Sequence, residues 1–238
     1  MAATPNPVQE RLSAVRERIH AACARAGRSP DSVRLIAVSK TFPAAAVRAA
    51  VLAGQRDFGE NYVQEAIAKI AELRNAATER GEGPCWHFIG PLQSNKTRAV
   101  AQDFQWVHSI ERDKIAARLS EQRDAQLPAL QVCIQVNVSG ETSKSGVAPD
   151  EVERLATAVA ALPRLALRGL MAVPEPSDDT ALQHRRFAQL RAILERLQAS
   201  GFRLDTLSMG MSADLEAAIE EGATMVRIGT AIFGERRP

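Results

Sequence analysis

Short apolar runs alternate with amphipathic segments from one end of the chain to the other, and this alternation limits the available folds more than any other property of the sequence. Runs at 34–39, 55–58, 85–90, 105–110, 130–138, 166–173, 205–210 and 225–230 have the length and composition of buried strands. Helical stretches at 44–53, 62–80, 95–101, 112–125, 149–161, 178–199 and 213–221 separate them. One more helix leads, where Val8, Leu12, Val15, Ile19 and Cys23 recur at helical spacing. Strict strand-helix alternation implies parallel strands joined by right-handed crossovers, and eight repeats is the number that closes a barrel. The expected fold is a single (β/α)8 barrel domain over 1–238 with an additional N-terminal helix. At 238 residues and 45% hydrophobic the chain is long enough to bury that core. A doubly wound open sheet is the competing architecture. Against it, no G-x-G-x-x-G follows the first strand, and Gly140-Glu141-Thr142-Ser143-Lys144-Ser145-Gly146 lacks the residue order of a phosphate loop.

Closure makes the first and last strands neighbours and brings their C-terminal ends to one rim, the rim on which barrels carry their chemistry. Lys40 stands there, directly after the first apolar run. Lysine is scarce, since five of the 30 basic side chains are Lys and 25 are Arg. An amine condenses with an aldehyde where a guanidinium does not, so Lys40 is a candidate covalent anchor; the plainer reading is a surface lysine snorkelling after a strand. At the other end of the chain, Ser208-Met209-Gly210-Met211-Ser212-Ala213-Asp214 reads as a strand running into a helix, and Met225-Val226-Arg227-Ile228-Gly229-Thr230 as a strand opening onto Gly-Thr. Exposed backbone N–H groups and small residues at such turns suit a phosphate; taken singly, each is also an ordinary N-cap or glycine turn. Together they describe a pocket for an aldehyde that carries a phosphate.

The formal charge of +2, with no long basic run and no interleaved aromatics, argues against a nucleic-acid partner. No stretch of about 20 apolar residues argues for a membrane span. Three separated cysteines, Cys23, Cys85 and Cys133, read as buried thiols of a reducing, cytoplasmic compartment.

Several motifs in order carry a resemblance over nearly the whole chain: Ala37-Val38-Ser39-Lys40-Thr41, Phe58-Gly59-Glu60-Asn61-Tyr62-Val63-Gln64-Glu65, His87-Phe88-Ile89-Gly90-Pro91-Leu92-Gln93-Ser94-Asn95-Lys96, Val136-Asn137-Val138-Ser139, Lys144-Ser145-Gly146, Gly169-Leu170-Met171, Ser208-Met209-Gly210-Met211-Ser212 and Val226-Arg227-Ile228-Gly229-Thr230. With them the chain resembles the pyridoxal 5′-phosphate homeostasis protein family, single-domain relatives of the alanine racemase barrel. The resemblance implies an alanine-racemase-like (β/α)8 TIM barrel, monomeric, that binds pyridoxal 5′-phosphate (PLP) as an internal aldimine on Lys40. It further implies phosphate contacts from Ser212, Gly229 and Thr230, Arg227 beside the pyridine nitrogen, and Asn61 and Met209 lining the same pocket.

By strand parity Arg227 shares a face with Met225 and Gly229. A cation beside the ring nitrogen disfavours a protonated pyridine, which restrains carbanion chemistry, and it favours a neutral Lys40 amine. A structural arginine paired with an acid is the alternative. Two-base racemisation needs a second acid/base, and the one tyrosine, Tyr62, follows the second strand and could reach the rim but reads as a packing or structural residue. His87 and His108 lie in strands as candidate bases or as histidines satisfied by a neighbouring carbonyl. No His/Cys/carboxylate group has metal-ligand spacing in the sequence. Lys144, in a Gly/Ser-rich loop, is either a relay amine for cofactor transfer or a solvated lysine. The function expected is a carrier that holds PLP for vitamin B6 homeostasis and supplies apo PLP-dependent enzymes. A PLP-dependent amino-acid racemase is the alternative, and a cofactor-free sugar-phosphate isomerase or aldolase is a third reading.

Overall fold

The computed structural model describes residues 7–74, 83–141 and 144–235. Within them the strands are β1 (Arg34–Val38), β2 (Asp57–Glu60), β3 (Cys85–Phe88), β4 (Trp106–Ile110), β5 (Leu130–Gln135), β6 (Leu165–Met171), β7 (Thr206–Ser208) and β8 (Met225–Ile228). The helices are α1 (Pro7–Arg25), α2 (Ala44–Leu52), α3 (Val63–Leu73), α4 (Thr97–Asp103), α5 (Asp113–Gln122), α6 (Val152–Ala160), α7 (Thr180–Ala199), α8 (Leu215–Glu220) and α9 (Thr230–Phe233). All eight strands are parallel, each pairs with its sequence neighbours, and β1 pairs with β8 to close the barrel. The expected (β/α)8 barrel with a leading helix is the fold observed.

Differences from the sequence reading lie at element ends. The second strand is Asp57–Glu60 rather than 55–58, because the buried Gln55 amide donates to the carbonyls of Leu35 (2.7 Å) and Asp57 (2.8 Å) and holds its own segment in a loop. The last strand stops at Ile228, and Thr230 begins a short helix that the apolar run concealed. The fifth strand ends at Gln135 instead of 138, and of the helix expected over 62–80, α3 covers 63–73 while 75–82 lies outside the described residues.

Strand parity divides the side chains into two cores. Ile36, Trp106, Cys133, Met171 and Met225 form an apolar layer inside the barrel, with Cys85 packed against it. Residues of opposite parity, such as Phe58, Val107, Leu170 and Ile228, pack outward into the shell of helices. α1 buries Leu12, Val15 and Ile19, each contributing about 1.5–3 kcal/mol if fully withdrawn from water. Its polar edge fastens it to the α8 segment, where Arg18 pairs with Glu216 (2.9 Å) and donates to the Ser212 carbonyl (3.1 Å), and just past its end Arg28 donates to the Ile219 carbonyl (2.7 Å). The additional helix thus braces the turn that carries Ser212. Among the described residues no helix is long and apolar enough to cross a membrane.

Candidate functional site

At the C-terminal ends of the strands a cavity of about 360 Å³ is lined by Lys40, Asn61, Ser212, Arg227, Gly229 and Thr230, together with Val38, Phe42, Ile89, Val173, Met211 and Ala213. Six of the seven residues expected from the sequence therefore meet in one cavity. Met209 does not line it. Interior parity belongs to Ser208, so Met209 turns outward and is fully buried in the helix-side core. Gly210, at φ 93°, then swings the chain round so that Met211 faces the cavity. A left-handed residue at that point is natural for glycine, and a Cβ there would lie 2.6 Å from Ala218 Cβ.

Two rim turns supply backbone N–H groups. Ser212 and Ala213 lie in the turn entering α8, where the Asp214 carboxylate accepts from the Met211 N–H at 2.5 Å. Gly229 precedes α9, and a Cβ there would approach the Val38 carbonyl oxygen to 3.2 Å, so a small residue lets β8 close tightly onto the end of β1. The first N–H groups of a helical turn have no carbonyl partner within it, which makes both turns receptive to an anion.

Lys40 is half-buried and leads into Thr41, whose φ of 68° is unusual for a β-branched residue and costs of order 1–3 kcal/mol. A buried polar network beneath it explains how that turn is held. The Glu65 carboxylate accepts from the Thr41 N–H at 2.6 Å. Lys69, one turn further along α3, donates to Glu65 (2.6 Å), Glu60 (2.7 Å) and the Ser39 carbonyl (2.6 Å), and the Ser39 hydroxyl donates to Glu60 at 2.6 Å. Burial pushes the Glu60 carboxyl up, while Lys69 and Ser39 pull it back down. None of this was read from the sequence. Lys69 sits in a helix that looks amphipathic, and only the packing of α3 over β1 and β2 shows that its ammonium points inward.

Arg227 is buried beneath the cavity, where desolvation lowers its guanidinium to about 10, leaving it cationic at neutral pH. Met225 lies in the interior layer below it and Gly229 in the cavity wall above, as parity requires. It donates to the Ala172 carbonyl (2.8 Å) and to Ser208 Oγ (2.7 Å). Ser208 Oγ lies 2.8 Å from His108 Nδ1, His108 Nε2 lies 3.0 Å from His87 Nδ1, and His87 Nε2 lies 2.9 Å from Asp57 Oδ1. A guanidinium only donates and a carboxylate only accepts, so one assignment satisfies every member: Ser208 donates to His108, and both rings carry their proton on Nε2. Burial depresses both imidazoles, His108 well below its ordinary value, with His87 and Arg227 adding to the effect there; Asp57 opposes it at His87. Both histidines are thus interior links satisfied by side chains rather than by a backbone carbonyl, and neither lines the cavity.

The remaining expectations are placed as follows. Tyr62 is 54% exposed, which corrects its reading as a packing residue; it borders a neighbouring cavity with Asn61, Gln93 and Lys96. Lys144 is half-buried in the loop after β5 and does not line the Lys40 cavity. Cys23 and Cys133 are buried, whereas Cys85 is only half-buried beside His87 and Asp57.

Comparison with known proteins places this geometry in a lineage. Residues 11–237 match the family described as alanine racemase, N-terminal domain. A pyridoxal phosphate homeostasis protein of Pseudomonas aeruginosa is 61% identical over 96% of both chains, and one of Escherichia coli K12 is 53% identical over 97% of both. The solved structure of PipY from Synechococcus elongatus, with PLP bound, superposes with a TM-score of 0.82 at 39% identity, covering 95% of this chain and 100% of that one. The chain belongs to the pyridoxal phosphate homeostasis protein family, built on the alanine racemase barrel.

Proposed function

We propose that the protein is a carrier of pyridoxal 5′-phosphate, with Lys40 as its covalent anchor. The observation that carries this reading is the convergence of Lys40, Arg227 and two anion-receptive turns on one cavity of about 360 Å³, a volume suited to a small coenzyme. The wall fits the group in further respects. Asn61 presents a buried Oδ1 with no hydrogen-bond partner, an acceptor left for a ligand donor. Phe42, Ile89 and Val173 give the cavity apolar faces against which a flat ring packs. The coenzyme, when bound, supplies an aldehyde for imine formation and a ring that acts as an electron sink. In this reading Lys40 would condense with the aldehyde with loss of water, the turns at Ser212 and Gly229-Thr230 would hold the phosphate, and Arg227 would face the ring nitrogen.

Arg227 favours holding over turnover. Its charge, fixed by Ser208 and the Ala172 carbonyl, disfavours a proton on the ring nitrogen and weakens the sink that racemisation needs. His87 and His108, the strand histidines read as candidate bases, are committed to the interior chain. We place the protein in the cytoplasm, as a single-domain monomer that passes PLP to apo-enzymes. Sub-stoichiometric or slow exchange of the α-proton of L- and D-alanine in heavy water supports the carrier; sustained exchange at enzyme-like rates, lost in Lys40→Ala, overturns it in favour of a racemase.

A further inference from the structure

At the opposite, N-terminal end of the barrel, three donors of different chemistry meet: Asp57 at the start of β2, and Cys85 and His87 on β3. Asp57 is the register partner of Cys85, and His87 follows on the same face two residues later, so closure of the sheet aims all three at one point. Their ligating atoms lie within 4.8 Å of one another. From the geometry we propose a binding site for a thiophilic divalent ion of the zinc type, held by Cys85 Sγ, His87 Nε2 and Asp57 Oδ1 with water in the fourth position.

The distances fit such an ion. Tetrahedral angles with Zn–S of about 2.3 Å and Zn–N of about 2.0 Å place sulfur and nitrogen about 3.5 Å apart, and Cys85 Sγ lies 3.5 Å from His87 Nε2. The His87–Asp57 separation, 2.9 Å, has to open by only about 0.4 Å to meet the tetrahedral value for nitrogen and oxygen ligands. The second shell is also present. A ligating histidine is oriented by a partner on its other ring nitrogen, and His87 Nδ1 faces His108 Nε2 at 3.0 Å. With the metal on Nε2, the His87 proton sits on Nδ1 and His108 Nε2 accepts it; the His108 proton then points from Nδ1 to Ser208 Oγ.

Asp57 opens onto a separate cavity of about 350 Å³, shared with Arg16, His20, Arg34 and Gln55, which gives an ion its way in. Arg34 now supplies the cation at the carboxylate, 3.5 Å from Asp57 Oδ1, and its half-exposed side chain has solvent to swing into when a metal replaces it. The mixed sulfur, nitrogen and oxygen donors select zinc-like ions over calcium or magnesium, which take oxygen.

The test is cobalt(II) titration of metal-stripped protein without PLP, followed by displacement with zinc. The expected result is one ion per chain with a sulfur-to-cobalt charge-transfer band and tetrahedral d–d bands. Cys85→Ser should abolish the sulfur band and weaken binding at least about tenfold, Arg34→Ala should tighten it, and His20→Ala and Lys40→Ala should leave it unchanged. The wild-type spectrum stands without any variant, and circular dichroism reports whether Cys85→Ser is folded. An absent sulfur band, unchanged affinity in folded Cys85→Ser, or loss of binding in His20→Ala overturns the site. Lys40→Ala is expected to lose PLP loading and keep metal binding, so failure of the metal site and failure of the carrier function are separate outcomes.

Discussion

Replacing Lys69 with methionine isolates the network that shapes the Lys40 turn. The substitution keeps most of the stem and removes the ammonium that joins Glu60, Glu65 and the Ser39 carbonyl at 2.6–2.7 Å. Glu60 is fully buried and Lys69 is only 5% exposed. The pair therefore belongs with buried ion pairs, whose disruption by loss of one partner costs about 3–5 kcal/mol, and not with exposed pairs at about 0–1 kcal/mol. The cost depends on pH in a defined sense. Burial already raises Glu60 above its unfolded value of 4.5, and losing Lys69 removes a cause that lowers it. A carboxyl raised on folding is penalised above its unfolded pKa and relieved as it takes a proton, so the variant should recover stability as pH falls toward 5. Urea denaturation at pH 7.5 and pH 5 gives both numbers, and Glu60→Gln in the Lys69→Met background should restore part of the loss at pH 7.5. A loss below about 1 kcal/mol at pH 7.5, or no recovery at lower pH, refutes the reasoning.

Three further outcomes follow from local geometry. Gly210→Ala places a Cβ 2.6 Å from Ala218 at a φ of 93°, and should lower stability by about 1–3 kcal/mol in denaturant melts; a neutral result would show that the turn adapts. Ser208→Ala leaves a buried Arg227 N–H without its acceptor and severs His108 from Arg227, at a cost of about 1–3 kcal/mol, with a change in the His108 ring nitrogen NMR signals as the second readout. Glu175, in the rim loop after β6, is held at about 2 although burial pushes it the other way, by Arg186 (2.7 Å) and the Ser139 hydroxyl. A carboxyl depressed on folding stabilises above its unfolded value of 4.5 and loses that contribution as pH falls toward 2. Between pH 6 and pH 3 the wild type should therefore lose more stability than Glu175→Gln, and equal losses would contradict the assignment.

The barrel was legible because its signal is periodic and repeated. Alternation of strand and helix, and the parity that puts Met225, Arg227 and Gly229 on one face, survive errors of two residues at element ends. The cavity was legible to the extent that it is built from strand ends, Lys40 after β1 and Arg227 and Gly229 at the end of β8, while Asn61 entered through the family resemblance alone. Its one misplacement has a local cause. Met209, named through the resemblance, turns outward as strand parity from Ser208 requires, and the left-handed Gly210 brings Met211 to the cavity instead. The Glu60–Lys69 network and the chain from Arg227 to Asp57 stayed hidden because each joins residues from three or more elements, and their meeting depends on barrel register and helix packing. Asp57, Cys85 and His87 come from only two strands, yet their sequence separation has no ligand spacing and their adjacency arises from β2 pairing with β3.

The central claim, that Lys40 is the amine that anchors PLP, is tested most directly by borohydride reduction of the loaded protein followed by peptide mapping. The account predicts one reduced pyridoxyl label, on Lys40, and loss of the visible absorbance in Lys40→Ala. A label carried mainly by Lys69, Lys96, Lys114 or Lys144, or a Lys40→Ala protein that keeps its colour, would contradict it.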